Sequence, residues 1–234
     1  MNVIPQRIKD GFVGLTGPVA RALIRSGVHP NTITTVGTLV VIGSGVAFGY
    51  GAIRTGGVLL LLSGVFDILD GQVARQGGKM TTFGAFYDST LDRLGEGAVF
   101  TGLIFFFLTG PLPGELKVRA VGVALIALVA SLLVSYTRAR AEALGVECKV
   151  GIAARAERIL LLGLPALLFG AGPPPWRPGV LLFSIVVVLA VVSAITVVQR
   201  VVHVARVARG APPPSLVPKR ETLPGVAAMR RKAQ

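Results

Sequence analysis

The strongest constraint on this chain is a succession of apolar blocks, each near 20 residues long, with turn signals between them. A bilayer core about 30 Å thick takes roughly 20 apolar residues of helix to cross, at a rise of about 1.5 Å per residue. Hydrocarbon cannot satisfy a free N–H or C=O, so the crossing segments are expected to be helices. Such blocks lie near residues 32–50, 56–76, 82–109, 118–143, 155–171 and 178–205. Gly49-Tyr50-Gly51, Gly77-Gly78, Pro111-Leu112-Pro113-Gly114, Gly145, and Gly172 through Pro175 divide them. The expected fold is therefore all-α, a polytopic membrane protein with six transmembrane helices. Composition agrees: 52% of the 234 residues are hydrophobic and 15% charged, where a soluble domain carries about 25% charge.

Residues 1–31 form a separate segment. Ile8, Phe12, Leu15, Val19 and Leu23 recur at helical spacing, with Arg7, Lys9, Arg21 and Arg25 mostly elsewhere. That pattern predicts an N-terminal amphipathic helix lying in the membrane interface. His29-Pro30-Asn31-Thr32 breaks it and caps the next helix. Residues 32–210 are the six-helix membrane domain. Residues 211–234, with five prolines and Lys219, Arg220, Arg230, Arg231 and Lys232, read as a basic disordered tail on an anionic surface. No signal peptide is expected, since the N-terminus lacks an apolar run with a small-residue cleavage site.

The net charge is +13, from 24 Lys+Arg against 11 Asp+Glu. Nucleic-acid binding would be one reading of that balance. The basic residues sit mainly between apolar blocks and in the tail, however, so membrane topology explains them with fewer assumptions. With six spans, one side receives both termini, Arg75, Arg138, Arg155, Arg200 and the tail, while the other receives Arg54, Lys117, Arg119 and Arg177. The positive-inside rule then makes both termini cytoplasmic in a multi-pass protein of the cell membrane, with no nucleic-acid partner expected.

Four carboxylates stand where lipid should exclude them. Asp67 and Asp70 follow the run Val58-Leu59-Leu60-Leu61-Leu62, and Asp88 and Asp92 open the third block. Each ionised carboxylate at membrane depth costs roughly 2.5–3.5 kcal/mol on the lenient insertion scale, so four need a compensating partner. At about 100° per residue Asp67, Asp70, Gly71 and Ala74 share one helix stripe, and Gly84, Asp88 and Asp92 share another. A short loop joins the two helices, so they are expected to be antiparallel neighbours with facing stripes. Carboxylates converging on one point suit Mg²⁺, Mn²⁺ or Ca²⁺. The alternative is four interfacial acids paired with nearby arginines. A transporter with an intramembrane cation site is a different class of reading, but no inverted repeat or broken helix is evident. Gly45-x-x-x-Gly49 is a spacing that can pack helices.

Asp67-x-x-Asp70-Gly71-x-x-Ala74-Arg75, then Gly84, Asp88 and Asp92 at fixed intervals, resembles the signature of the CDP-alcohol phosphotransferase family at every position. The resemblance implies six membrane helices, a homodimer, a divalent-metal site for Mg²⁺ or Mn²⁺, and CMP as leaving group. It implies that Asp67, Asp70 and Asp88 are metal ligands, and that Asp92 is the general base and a further ligand. It also implies that Asn31, Thr32, Ile33, Thr34, Gly71, Arg75 and Thr81 contact the CDP-diacylglycerol donor. Capping is a second role open to Asn31 and Thr34.

The signature leaves the acceptor open. Val134 through Glu142, Ala154-Arg155-Ala156-Glu157-Arg158 and Val198-Gln199-Arg200 resemble the bacterial phosphatidylinositol phosphate synthases. That similarity implies inositol phosphate as acceptor, its phosphate held by Arg138, Arg155, Arg158 and Arg200. Guanidinium groups suit the task through their planar fork, although the same arginines could serve as topological anchors. Glycerol phosphate, giving phosphatidylglycerol phosphate, is the alternative acceptor.

Overall fold

In the computed structural model, residues 6–172 and 177–209 are described, with side chains from Gly11 onward except Phe12 and Val13. The expected tail, 211–234, lies outside the described residues, as do the side chains of Ile8 and Phe12. Among the described residues the chain is all-helical. Seven helices follow one another: α1 (Gln6–Arg25), α2 (Pro30–Gly49), α3 (Ile53–Gln76), α4 (Thr82–Thr109), α5 (Gly114–Ala143), α6 (Arg155–Phe169) and α7 (Val180–Val207). Their ends fall within a few residues of the block boundaries expected from the sequence.

Four of them, α2, α3, α5 and α7, are long and apolar enough to cross a membrane. The other two expected spans differ for identifiable reasons. Helix α4 carries Asp88, Asp92, Arg93 and Glu96 between its first turns and its middle. Helix α6 has 15 residues, about 22 Å of axis, which is shorter than a hydrocarbon core.

Capping fixes where the helices begin. At the start of α2 Pro30 occupies the first turn, and His29 Nδ1 accepts from Asn31 N at 3.2 Å, so His29 takes the capping role open to Asn31 and Thr34. Thr81, extended at φ −136°, caps α4 by accepting from Gly84 N at 2.9 Å. The α1 helix rests on α3: Ala20 is buried with Ile33, Leu69 and Val73, and Gln72 donates to Thr16 Oγ1 at 2.5 Å. Leu15 faces outward, 75% exposed.

Helix α2 lies between α3 and α4 and packs on both. Glycines permit this. A Cβ on Gly45 would collide with the Ala98 backbone, one on Gly102 would strike the Gly45 carbonyl, and one on Gly56 would lie 2.6 Å from the Phe48 ring. The stripe at Gly45 and Gly49 does pack helices, against α4. This arrangement corrects one expectation. Helices α3 and α4 are not direct neighbours, because α2 is wedged between them and their backbones make no packing contact among the described residues. The second half of the molecule is built by α5 on α7 and α6 on α3. Phe48, Leu103, Phe107, Leu182 and Val186 join the halves in one fully buried cluster.

Candidate active site

All four aspartates and Arg155 line one small compartment of about 20 Å³, with Thr34, Thr38 and Ser63 in its walls. Asp67 and Asp70 descend from α3, Asp88 and Asp92 from α4, and α2 supplies the floor between them. Asp67, Asp70 and Asp88 each offer a carboxylate oxygen, and these three atoms lie within 4.8 Å of one another. Asp70 is buried and accepts from Thr34 Oγ1 at 2.7 Å. Asp88 Oδ1 is buried with no hydrogen-bond partner among the described residues. A buried carboxylate oxygen left unpartnered is costly, and a ligand for it removes that cost. Three hard oxygen donors with one orphaned atom fit Mg²⁺ or Mn²⁺.

Asp92 stands outside that triad. Arg155 Nη1 pairs with Asp92 Oδ1 and with Asp67 Oδ1, the latter at 2.7 Å, so one guanidinium bridges the α3 and α4 acids. Arg93 reaches Asp92 Oδ2 at 3.4 Å. Two cations therefore offset part of the charge of four acids.

Two larger cavities flank this centre. On one side a cavity of about 130 Å³ is lined by Asn31, Thr34, Gly71 and Thr81 together with Asp70 and Asp88. The Arg75 guanidinium covers Gly71, where a Cβ would lie 3.0 Å from Nη1. Of the residues expected to meet the donor, Ile33 is instead core, packed with Ala20, Leu69 and Val73. Thr32 is exposed and lines neither flanking cavity. Lys79 and Met80 also line this smaller cavity and were not singled out as site residues in the sequence. Lys79 Nζ donates to Gly27 O at 3.1 Å and Val28 O at 3.3 Å, tying the α3–α4 turn to the end of α1. A lone lysine beside Gly77-Gly78 carries no distinguishing spacing.

On the other side a cavity of about 750 Å³ opens between α4, α5, α6 and α7. Asp88 and Asp92 line it together with Arg138, Arg155, Arg158 and Arg200, and Arg93, Tyr136 and Glu142 are also in its walls. These arginines are not equivalent. Arg138 Nε donates to Glu142 at 2.8 Å on an exposed face. Arg200 is buried, donating from Nε to Val150 O at 3.0 Å and from Nη1 to Val134 O. Arg158 is 5% exposed and engaged on every nitrogen: Nε and Nη2 on Glu96 Oε1 at 3.2 and 2.5 Å, and Nη1 on Ala153 O at 2.9 Å. Glu96 also accepts from Ser131 Oγ at 2.6 Å. The sequence contained a signal for Glu96, since it continues the four-residue series Gly84, Asp88, Asp92 along one face of α4.

The sequence model of the CDP-alcohol phosphatidyltransferase family matches residues 27–202. An archaetidylinositol phosphate synthase of Methanothermobacter thermautotrophicus is 39% identical over 84% of this chain and 96% of its own. A phosphatidylinositol phosphate synthase of Mycolicibacterium smegmatis is 40% identical over 88% of this chain and 90% of its own. Crystal structures of the Mycobacterium tuberculosis phosphatidylinositol phosphate synthase superpose with a TM-score of 0.70 at 36% identity, covering 81% of this chain. One, covered over 92% of its length, has CDP-DAG bound; the other, covered over 88%, is a complex with manganese and citrate.

Proposed function

Because the chain belongs to the CDP-alcohol phosphatidyltransferase family and is an enzyme of that class, we propose that it transfers the phosphatidyl group of CDP-diacylglycerol to inositol phosphate. The observation that carries this reading is the large cavity in which Asp88 and Asp92 share a wall with Arg138, Arg155 and Arg200. A neutral alcohol would need no such cations beside the acids, whereas a phosphorylated one does. The names of the curated relatives support the same acceptor.

In this reading the smaller cavity takes the donor head. Asn31, Thr34, Gly71, Arg75 and Thr81 meet its nucleotide and diphosphate, with Thr32 and Ile33 shaping that helix turn from behind. Asp67, Asp70 and Asp88 hold a divalent metal, Mg²⁺ or Mn²⁺, with Asp92 beside them; when bound, it neutralises charge on the diphosphate and in the transition state. Asp92 accepts the proton of the acceptor hydroxyl. The hydroxyl oxygen bonds to the lipid-side phosphorus, the bond from that phosphorus to the CMP oxygen breaks, and CMP leaves with the electron pair. Arg155 and Arg200, helped by Arg138, hold the acceptor's phosphate so that its hydroxyl faces Asp92. Arg158, with its nitrogens already engaged, lies behind them.

The setting proposed is a multi-pass protein of the cell membrane. Helices α4 and α6 complete six spans around the four apolar ones, and α1 lies in the interface with Leu15 and Val19 toward lipid. Both termini and the acid cluster then face the cytoplasm, and the enzyme works as a homodimer. Residues 32–210 form the catalytic domain between the α1 segment and the tail.

The test is one assay with CDP-diacylglycerol and three acceptors in parallel: inositol phosphate, glycerol phosphate and free inositol. Turnover with inositol phosphate alone is expected. Equal use of free inositol, or preference for glycerol phosphate, would overturn the acceptor assignment.

A further inference from the structure

Helices α4 and α6 make no backbone packing contact among the described residues. They are joined across the active site by two charged rungs one turn apart. The outer rung is Asp92 with Arg155, facing the cavity; the inner is Glu96 with Arg158 at 2.5 Å, with side chains 13% and 5% exposed. Arg155 is the first residue of α6, and its N-cap, Ala154, makes no side-chain capping bond. What fixes this helix start lies elsewhere. Arg158 Nη1 holds Ala153 O, Ala153 N donates to Thr196 Oγ1 at 3.0 Å, and Glu96 anchors Arg158 while accepting from Ser131 of α5. Glu96 thus ties α4, α5, α6 and the residue before the α6 N-cap at one buried point.

We propose that Glu96 is a positioning residue for the acceptor side of the reaction, acting through Arg158 to aim Arg155. With no α4–α6 backbone contact to hold the gap, the inner rung sets how far the first turn of α6 stands from Asp92. Removing the Glu96 charge leaves Arg158 buried and unpaired, which displaces it and the helix start it holds. The donor-side cavity shares no wall residue with this rung, and the change reaches it only through the Arg155–Asp67 pair, so donor binding is expected to change less than acceptor binding. This inference rests on the reading that Arg155 contacts the acceptor phosphate.

The experiment compares Glu96→Gln, Arg155→Ala and the double variant in the full-length enzyme. Each is measured for inositol phosphate KM, CDP-diacylglycerol Kd and Tm. Glu96→Gln is expected to raise KM roughly tenfold, the scale of a charged hydrogen bond, with the donor Kd within about twofold. Added to Arg155→Ala it should change KM little, because residues acting through one side chain are not additive. Full additivity, an unchanged KM in Glu96→Gln, or equal losses for donor and acceptor would overturn the assignment. Should Glu96→Gln fail to fold, Glu96→Asp decides: it keeps the charge and shortens the reach, so an intermediate rise in KM is expected and no rise overturns the proposal. Arg155→Ala alone with normal KM would reject the acceptor reading itself. An Arg155→Ala effect without a Glu96→Gln effect would reject only the positioning role.

Discussion

Thr34 Oγ1 donates to Asp70 Oδ2 at 2.7 Å, and the same hydroxyl lies 3.2 Å from Pro30 O one turn back on α2. The wedge helix therefore orients one of the three clustered carboxylates. A group that steers a metal ligand in this way typically contributes tenfold to a hundredfold in affinity. Thr34→Val, which keeps the shape and removes the hydroxyl, is expected to weaken Mn²⁺ binding roughly tenfold by titration. Unchanged affinity would show that Asp70 needs no such steering.

Metal removal should abolish turnover, and Mg²⁺ or Mn²⁺ should restore it. Asp67→Asn and Asp88→Asn remove ligand charge from the triad and are expected to lower metal and donor binding together. Full activity after exhaustive chelation would remove the metal from the mechanism.

Asp92→Asn separates binding from chemistry. An amide cannot take the acceptor's proton, so kcat should fall by about a hundredfold or more while donor affinity stays near wild type. Near-normal turnover would mean that another group is the base.

Arg155→Lys keeps the charge, which through Nη1 alone meets both Asp67 and Asp92, and loses the planar fork that a phosphate would engage. Partial recovery relative to Arg155→Ala is expected, read as inositol phosphate KM. Arg200→Ala should raise KM as well, and it also frees Val134 O and Val150 O, so Tm should fall with it. Normal KM in both alanine variants would leave these arginines as anchors.

Gly102→Leu places a side chain where the Gly45 carbonyl already lies. Overpacking of this kind costs roughly 1–3 kcal/mol, and more against backbone. A lower Tm in detergent is expected, with α2 displaced and Thr34 drawn away from Asp70. A variant as stable as wild type would show that α2 and α4 can part freely.

The helices were readable because each apolar block had to satisfy its own backbone, and the aspartates because carboxylates at membrane depth demand a partner. The placing of α2 between α3 and α4 was not, since loop length says which helices can meet and not which of them do. Gly45 and Gly102 decide that through a backbone contact across helices, and single glycines among 30 carry no label of it. Ile33 illustrates a second limit: beside Thr34 in sequence, it points a third of a turn away, into the Ala20, Leu69 and Val73 cluster. Arg158 was visible as one more basic residue at a helix start, but its commitment to Glu96 depends on a partner 62 positions away.

The Arg155 bridge between Asp67 and Asp92 also bears on biogenesis. A cluster of four acids entering lipid with no cation would be strongly disfavoured, yet here a guanidinium travels with the same polypeptide. The newly made chain thus carries its own counter-ion and is expected to insert and fold before any metal arrives. Protease resistance of protein refolded into lipid bilayers with and without a chelator would measure this. Matching resistance with and without metal is the expected result, and digestion of the metal-free chain alone would count against it.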